Sequence, residues 1–301
     1  MSDATVSPAP VRLTKARQAA RSRGLWSDAF RRLTRHKLAM FGLVIILITA
    51  IFAAIGPNIV AYTPDKMDMK TRFAPPSAAH LFGTDDFGRD TFTRIVYGAR
   101  VSLEVGVISV GIAATIGTFL GLLAGYSRRL VDEVIMRSMD VLYAFPAVLL
   151  AIAILAALGK GVGNAMIAIG VVYIPIFARI TRGEVLSIRN EEYITAARSI
   201  GAGDIRILFR HILPNILAPI IVETSLSLAF AILAEASLSF FGLGTQPPDA
   251  SWGRMLSEGR NYFRQSPWMG IFPGVAIMLV VMGFNFLGDG LRDALDPRLN
   301  R

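Results

Sequence analysis

The chain has 301 residues, 53% apolar and 18% charged, with a mean hydropathy of +0.51. Soluble domains average about 25% charged residues, so this composition excludes an ordinary soluble enzyme and, at the other extreme, a disordered chain. Cysteine is absent and only His36, His80 and His211 are present, far apart, which leaves no disulfide framework, thiolate nucleophile or histidine-built metal centre. The net charge of +9 lies between apolar runs, a pattern that fits an anionic membrane surface and not nucleic acid.

In chain order, residues 1–37 form a basic cytoplasmic arm. Nine Lys and Arg residues stand there against Asp3 and Asp28, without the apolar core and cleavage site of a signal peptide. Trp26, Phe30 and Leu33 recur at i, i+4, i+7 with Arg31, Arg32 and Arg35 around them, so a short amphipathic helix on the membrane surface is expected. Six apolar segments follow at 38–60, 101–126, 138–158, 162–180, 215–240 and 269–288. About 20 apolar residues cross a ~30 Å hydrocarbon core as a helix, so the fold class is an all-α integral membrane protein with six transmembrane helices. Pro146 and Pro175 are expected to kink their helices. Residues 101–288 form a five-helix core after the first helix.

Lys and Arg set the orientation. With the N-terminus inside, 21 of the 31 fall in cytoplasmic pieces, which predicts an N-in/C-in topology with a cytoplasmic tail at 289–301. Two connections are too long for turns. The external loop 61–100, with Pro75-Pro76, has the length of a small folded extension, and 242–268 is a second external loop. The cytoplasmic loop 181–214 carries helical patterning.

Within that loop, Asn190 has the chemistry of a helix N-cap, and Glu191 and Glu192 follow at the positive end of the dipole. Tyr193, Ala196, Ala197 and Ile200 make one narrow apolar face, which the two alanines open to close approach by another surface. Gly201 suits a left-handed C-cap. Asp204 then suits the cap of a second helix with Ile205, Leu208, Phe209 and Ile212 on its apolar side, ended by Pro214. The loop is predicted to be a helix–turn–helix with a glycine elbow.

The string Glu192-x-x-x-Ala196-Ala197-x-x-x-Gly201, with Ile205 and Ile212-Leu213-Pro214 after it, resembles the EAA loop of ABC importer permeases. Three further strings are similar to the dipeptide/oligopeptide C-type subunits of that family. They are His80-Leu81-Phe82-Gly83-Thr84-Asp85-Asp86-Phe87-Gly88-Arg89-Asp90 with Tyr97 to Leu103, Glu235 to Gly244 with Pro247-Pro248 and Ser251-Trp252-Gly253, and Gly288 to Arg298. The resemblance runs from about Trp26 to Arg298. It implies a type I, MetI-like permease fold in a bacterial cytoplasmic (inner) membrane, with a homologous B-type permease, two ATPase subunits and an external substrate-binding protein as partners. It also implies that Glu192, Tyr193, Ala196, Ala197, Arg198, Gly201 and Asp204 form the loop that docks on the ATPase. Di- or oligopeptides are the implied cargo; nickel complexes, glutathione and other small solutes are alternatives within the class.

No Gly-x-x-x-x-Gly-Lys-Ser/Thr string occurs, and Gly159-Lys160-Gly161 lacks the following hydroxyl, so ATP and Mg are expected to be handled by partner subunits. Glu104 is expected at the interface near the outer end of its segment. Glu223, about 12 Å into the fifth segment with Ser227 one turn on, is a candidate pathway or interhelix residue. Glu235, about 30 Å along, is expected near the outer mouth and off the Glu223 stripe. An ion-coupled secondary carrier usually shows internal repeats and aligned intramembrane charges, and no clear repeat or charge alignment is found here. A membrane-embedded enzyme needs clustered catalytic side chains at one depth, and none is visible.

Overall fold

The computed structural model describes residues 25–295. Arg12, Lys15, Arg17, Arg21 and Arg23 of the arm, the side chain of Trp26, and the C-terminal string from Asp296 onward lie outside what is described. Among the described residues the secondary structure is helical, with one isolated bridge between Thr84 and Asp90.

Helix α1 (Leu25–Leu33) turns into α2 (Lys37–Ile59) through His36. His36 caps α2 with Nδ1, which accepts from the Ala39 amide at 3.1 Å, while Nε2 lies 3.5 Å from Asp293. The inward face of α1 is centred on Ala29, which is buried, whereas Phe30 is exposed. Phe30 of the expected membrane-surface stripe is thus left outside the protein. α1 lies against the last helix, where Gly290 gives Ala39 and Leu33 room to approach.

Helix α3 runs over Thr91–Tyr126, ten residues earlier than the apolar pattern begins. Asp90 caps it by accepting from the Thr93 amide at 2.8 Å, and Arg94 in its first turns is buried among carboxylates. Those buried charges hide the helix start from a reading of apolar runs. At ~1.5 Å per residue its 36 residues span about 54 Å, more than a hydrocarbon core needs.

The third segment is two helices, α4 (Arg129–Tyr143) and α5 (Ala147–Leu158), bent by 94°. The break falls at Pro146, a sharper interruption than a kink, because Pro146 stands as N-cap of the new helix and cannot continue the old one. α5 alone is about 18 Å long, so a crossing needs α4 as well. Asp132 of α4 holds Arg182 bidentately at 2.5 and 2.7 Å, and Asp140 holds Arg179 at 2.8 Å.

Both arginines lie on α6 (Val162–Ile188), which passes through Pro175 and extends eight residues beyond the predicted segment. α3 and α6 share the largest helix interface. Gly117, Gly121 and Gly125 form a stripe on α3 with one glycine every four residues. A Cβ on Gly121 would lie 2.5 Å from the Ala178 carbonyl oxygen, and one on Gly125 would lie 2.7 Å from Val185 Cβ. Only glycine lets these backbones meet, the device by which membrane helices pack in hydrocarbon. The loop helices α7 (Glu192–Ser199) and α8 (Asp204–Arg206) come next, then α9 (Leu217–Phe240), the short α10 (Trp252–Asn261) and α11 (Trp268–Leu295). α11 continues seven residues past the predicted segment.

Outside the spans, the loop before α3 and the helix α10 form one folded unit around a buried ion network. Asp85 Oδ1 accepts from the amides of Phe87 and Arg89, both at 2.9 Å. Its Oδ2 accepts from Arg89 Nε at 2.6 Å and Arg94 Nη1 at 2.7 Å. Glu258 of α10 takes Arg94 Nη2 at 3.1 Å, Arg89 Nη2 at 3.3 Å and Arg254 Nε at 2.9 Å. Trp252 locks α10 onto α3 by donating from its ring nitrogen to the Ile95 carbonyl at 3.0 Å.

Candidate docking loop and intramembrane carboxylates

The loop after α6 is anchored before it turns. Arg189 donates from Nη1 to the Gly125 carbonyl at 2.9 Å, fixing the end of α6 to α3. Glu191, not Asn190, occupies the N-cap of α7, and it caps through its backbone carbonyl, which accepts from the Ile194 and Thr195 amides at 3.0 and 3.1 Å.

The face of α7 expected to meet another surface is divided, with Ala197 turned away from it. Ile194 and Ala197 (7% exposed) face the chain's own core, where Ile194 joins Val185, Ile207, Leu208 and Ile212. Tyr193, Ala196 and Ile200 are exposed, Ile200 by 87%. Tyr193 carries a raised pKa, pushed up first by partial burial and then by Glu191. The small-residue pair is therefore split: Ala197 seats the helix and Ala196 is presented outward. Glu192 and Arg198 are also exposed.

The elbow forms by backbone chemistry. The Gly201 amide donates to Arg198 O and the Ala202 amide to Ala197 O, both at 3.0 Å, and Gly201 has φ +88°. This pair of bonds is the Schellman motif, with glycine at the left-handed position. A Cβ on Gly201 would meet nothing within 4 Å, so the requirement there is conformational alone.

Beyond the elbow, Asp204 makes no cap bond with its side chain; the N-cap is Gly203. The second arm is one helical turn that widens into a π segment at Ile207–Ile212. A π turn aligns residues five apart. That is why Ile207 and Ile212 are both fully buried, while Ile205 (76% exposed) and Phe209 turn outward instead of packing inward. Exposed apolar groups thus continue from Tyr193, Ala196 and Ile200 on α7 to Ile205 and Phe209 past the elbow.

The two embedded carboxylates have different surroundings. Glu223 is half-buried and accepts from Ser227 Oγ at 3.0 Å. Phe230, Ala234 and Ser237 follow on its stripe and line an apolar cleft of about 190 Å3 with Ala147, Ala151 and Tyr173. Glu235 is fully buried. Its Oε1 accepts from Ser239 Oγ at 2.6 Å and Thr245 Oγ1 at 3.4 Å, while Ser239 Oγ accepts from the Thr245 amide at 3.0 Å. Glu235 therefore staples the loop after α9 to the end of that helix. Glu104 pairs with Arg100 at 2.9 Å on an exposed face of α3.

Two groups escape a reading of the sequence. Glu258 joins Asp85 and Arg94 across more than 160 residues, with no local signal beyond the neighbouring Asp85-Asp86 and Arg89. Tyr126, read as the end of an apolar run, donates to Asp204 Oδ1 at 2.6 Å and accepts from Arg198 Nη2 at 3.3 Å.

With this geometry in hand, similarity to known proteins becomes specific. Residues 117–301 match the family described as binding-protein-dependent transport system inner membrane component, and residues 24–76 match the N-terminal TM domain of oligopeptide transport permease C. The chain belongs to the binding-protein-dependent transport permease family. It is 52% identical to a dipeptide transport system permease protein, DppC, of Alkalihalophilus pseudofirmus over 91% of this chain and 90% of that one. A glutathione transport system permease protein, GsiD, of Pectobacterium atrosepticum is 47% identical, with 91% of each covered. A di/tripeptide permease, DppC, of Pseudomonas aeruginosa is 44% identical over 88% and 89%. In fold, the chain resembles a chain of the inward-facing MetNI methionine ABC transporter with TM-score 0.57 and 19% identity, covering 68% of this chain and 97% of that one. The protein is a multi-pass, all-helical membrane permease subunit of an ABC importer, a class that works with ATPase and substrate-binding partners.

Proposed function

We propose that this permease subunit imports di- or oligopeptides across the bacterial cytoplasmic membrane as half of a two-permease core. The other half is a homologous B-type chain, and ATP with Mg is hydrolysed by two partner ATPase subunits, not by this chain. Its N- and C-termini face the cytoplasm, as the Lys and Arg distribution favours. The external unit of 61–90 and α10 faces the substrate-binding protein. Glu223, with Ser227, is the candidate pathway group, on the stripe that lines the open cleft.

The observation that carries this reading is the divided face of α7. Ile194 and Ala197 root the helix in the chain's own core, while Tyr193, Ala196 and Ile200 leave an apolar surface bare beside exposed Ile205 and Phe209. An apolar patch at the tip of a charged loop is what an obligate partner covers. The peptide assignment is supported by the relatives named for dipeptides, and the glutathione permease keeps a tripeptide-like solute as a second reading.

Two substitutions test the docking surface on the complex with its ATPase subunits. Ala196→Trp overfills an exposed contact, so membrane abundance stays normal and ATPase copurification and uptake fall. Ala197→Glu drives a charge into the chain's own core, so the subunit itself is lost from the membrane. Wild-type copurification and uptake in Ala196→Trp would refute the docking surface. A reporter after Thr195 reading external would refute the orientation. Uptake competition between labelled dipeptide and glutathione separates the two cargoes.

A further inference from the structure

The docking loop is covalently continuous with α6 on one side and α9 on the other, and neither connection reaches α3. Yet α3 is the longest helix, about 54 Å from its outer cap at Asp90 to Tyr126. Its outer turns hold Arg94 in the external ion network. Its inner end is Tyr126, whose hydroxyl donates to Asp204 Oδ1 at 2.6 Å and accepts from Arg198 Nη2 at 3.3 Å. The Arg198 guanidinium also lies 6.0 Å from the Tyr126 ring centroid. Arg198 belongs to the arm before Gly201 and Asp204 to the arm after it, so one hydroxyl bridges both sides of the elbow.

We propose that Tyr126 is a positioning residue for coupling, a strut that passes movement of the docking loop to the inner end of α3 and through that helix to the external unit. This rests on the docking reading of α7 given above. It reassigns Arg198 and Asp204: their side chains hold the elbow to α3. The Gly117, Gly121 and Gly125 stripe locks α3 to α6, so a pull at Tyr126 moves the pair as one body. All three polar groups are at least partly exposed, and surface pairs contribute little to global stability. The strut is therefore separable from folding. Tyr126→Phe keeps the ring and removes only the hydroxyl that makes both bonds.

The test uses the complete importer in proteoliposomes with its binding protein, reading solute taken up per ATP hydrolysed. Tyr126→Phe is expected to leave complex yield and basal ATPase rate unchanged and to lower uptake per ATP by about fivefold or more, the lower end of a typical coupling effect. Asp204→Ala lowers the same ratio, and Asp204→Asn, which still accepts from the hydroxyl, restores it. The double variant Tyr126→Phe/Asp204→Ala is no worse than Tyr126→Phe alone, because the phenylalanine has already removed the one Tyr126–Asp204 bond that Asp204→Ala takes away. An unchanged ratio in Tyr126→Phe, additive losses in the double variant, or loss of ATPase subunits from Tyr126→Phe complexes overturns the strut. If Ala196→Trp releases the ATPase while Tyr126→Phe is silent, the strut falls and the docking surface stands. If Ala196→Trp is silent, the docking surface falls.

Discussion

Asp85 is the keystone of the unit formed by residues 61–90 and α10, and Asp85→Ala puts a figure on it. The side chain accepts four hydrogen bonds, two from backbone amides at 2.9 Å and two from guanidinium groups at 2.6 and 2.7 Å. Side-chain exposure is 7% for Asp85 and 2% for Arg94, so water cannot replace what is lost. Arg94 would keep only Glu258 at 3.1 Å, and its Nε already lacks a partner. Removing one member of a buried ion pair costs about 3–5 kcal/mol. At about 1.4 kcal/mol per decade, local opening of the unit rises by roughly two to three and a half orders of magnitude. Asp85→Asn keeps one acceptor oxygen for the two amides and loses less. The assay is amide hydrogen exchange in nanodiscs, comparing residues 61–90 and α10 with α6 as internal reference. Faster exchange confined to residues 61–90 and α10 is expected. Unchanged protection there, or an equal loss along α3 and α6, would show that the network does not hold the unit together.

Asp86 tests the same unit through pH. Its pKa is raised, first by burial and then by Asp85 and Glu258, with Arg89 opposing. A raised folded-state value means the protonated form is favoured by folding, so that stability is present below the ordinary carboxylate value of 3.8 and lost as pH rises through the folded value. Asp86→Asn should therefore raise the thermal midpoint of this unit at pH 7 and lose that advantage toward pH 4; a gain independent of pH would contradict the assignment. Gly121→Val places a branched side chain against the Ala178 carbonyl and Thr181, so α3 and α6 must separate and detergent-solubilised protein should lose monodispersity. Normal size-exclusion profiles would show that the stripe is dispensable. Gly201→Ala should cost about 1–2 kcal/mol from the left-handed backbone alone, with no steric penalty. It is expected to raise exchange at α7 without lowering membrane abundance, and Gly201→Asn, which tolerates that conformation better, should lose less.

Local chemistry was legible from the residues alone. The apolar segments, the interruption at Pro146, the glycine elbow at Gly201 and the EAA-like spacing each depend on residues within one or two turns. The tertiary structure decided what depends on partners far along the chain. α3 begins at Thr91 because Asp85 and Glu258 neutralise Arg94, and an apolar count reads that arginine as loop. Glu235 is buried because Ser239 and Thr245 fold back onto it. Ala197 turns inward and Ala196 outward because the π winding of the next arm sets Ile207 and Ile212 beneath α7, and helical periodicity on α7 cannot say where that support will stand. Tyr126 is joined to Arg198 and Asp204 across more than 70 residues, a distance over which sequence spacing carries no geometric information. Periodicity fixes which residues share a face; only the packed neighbours determine whether that face is seated in the protein or left for a partner.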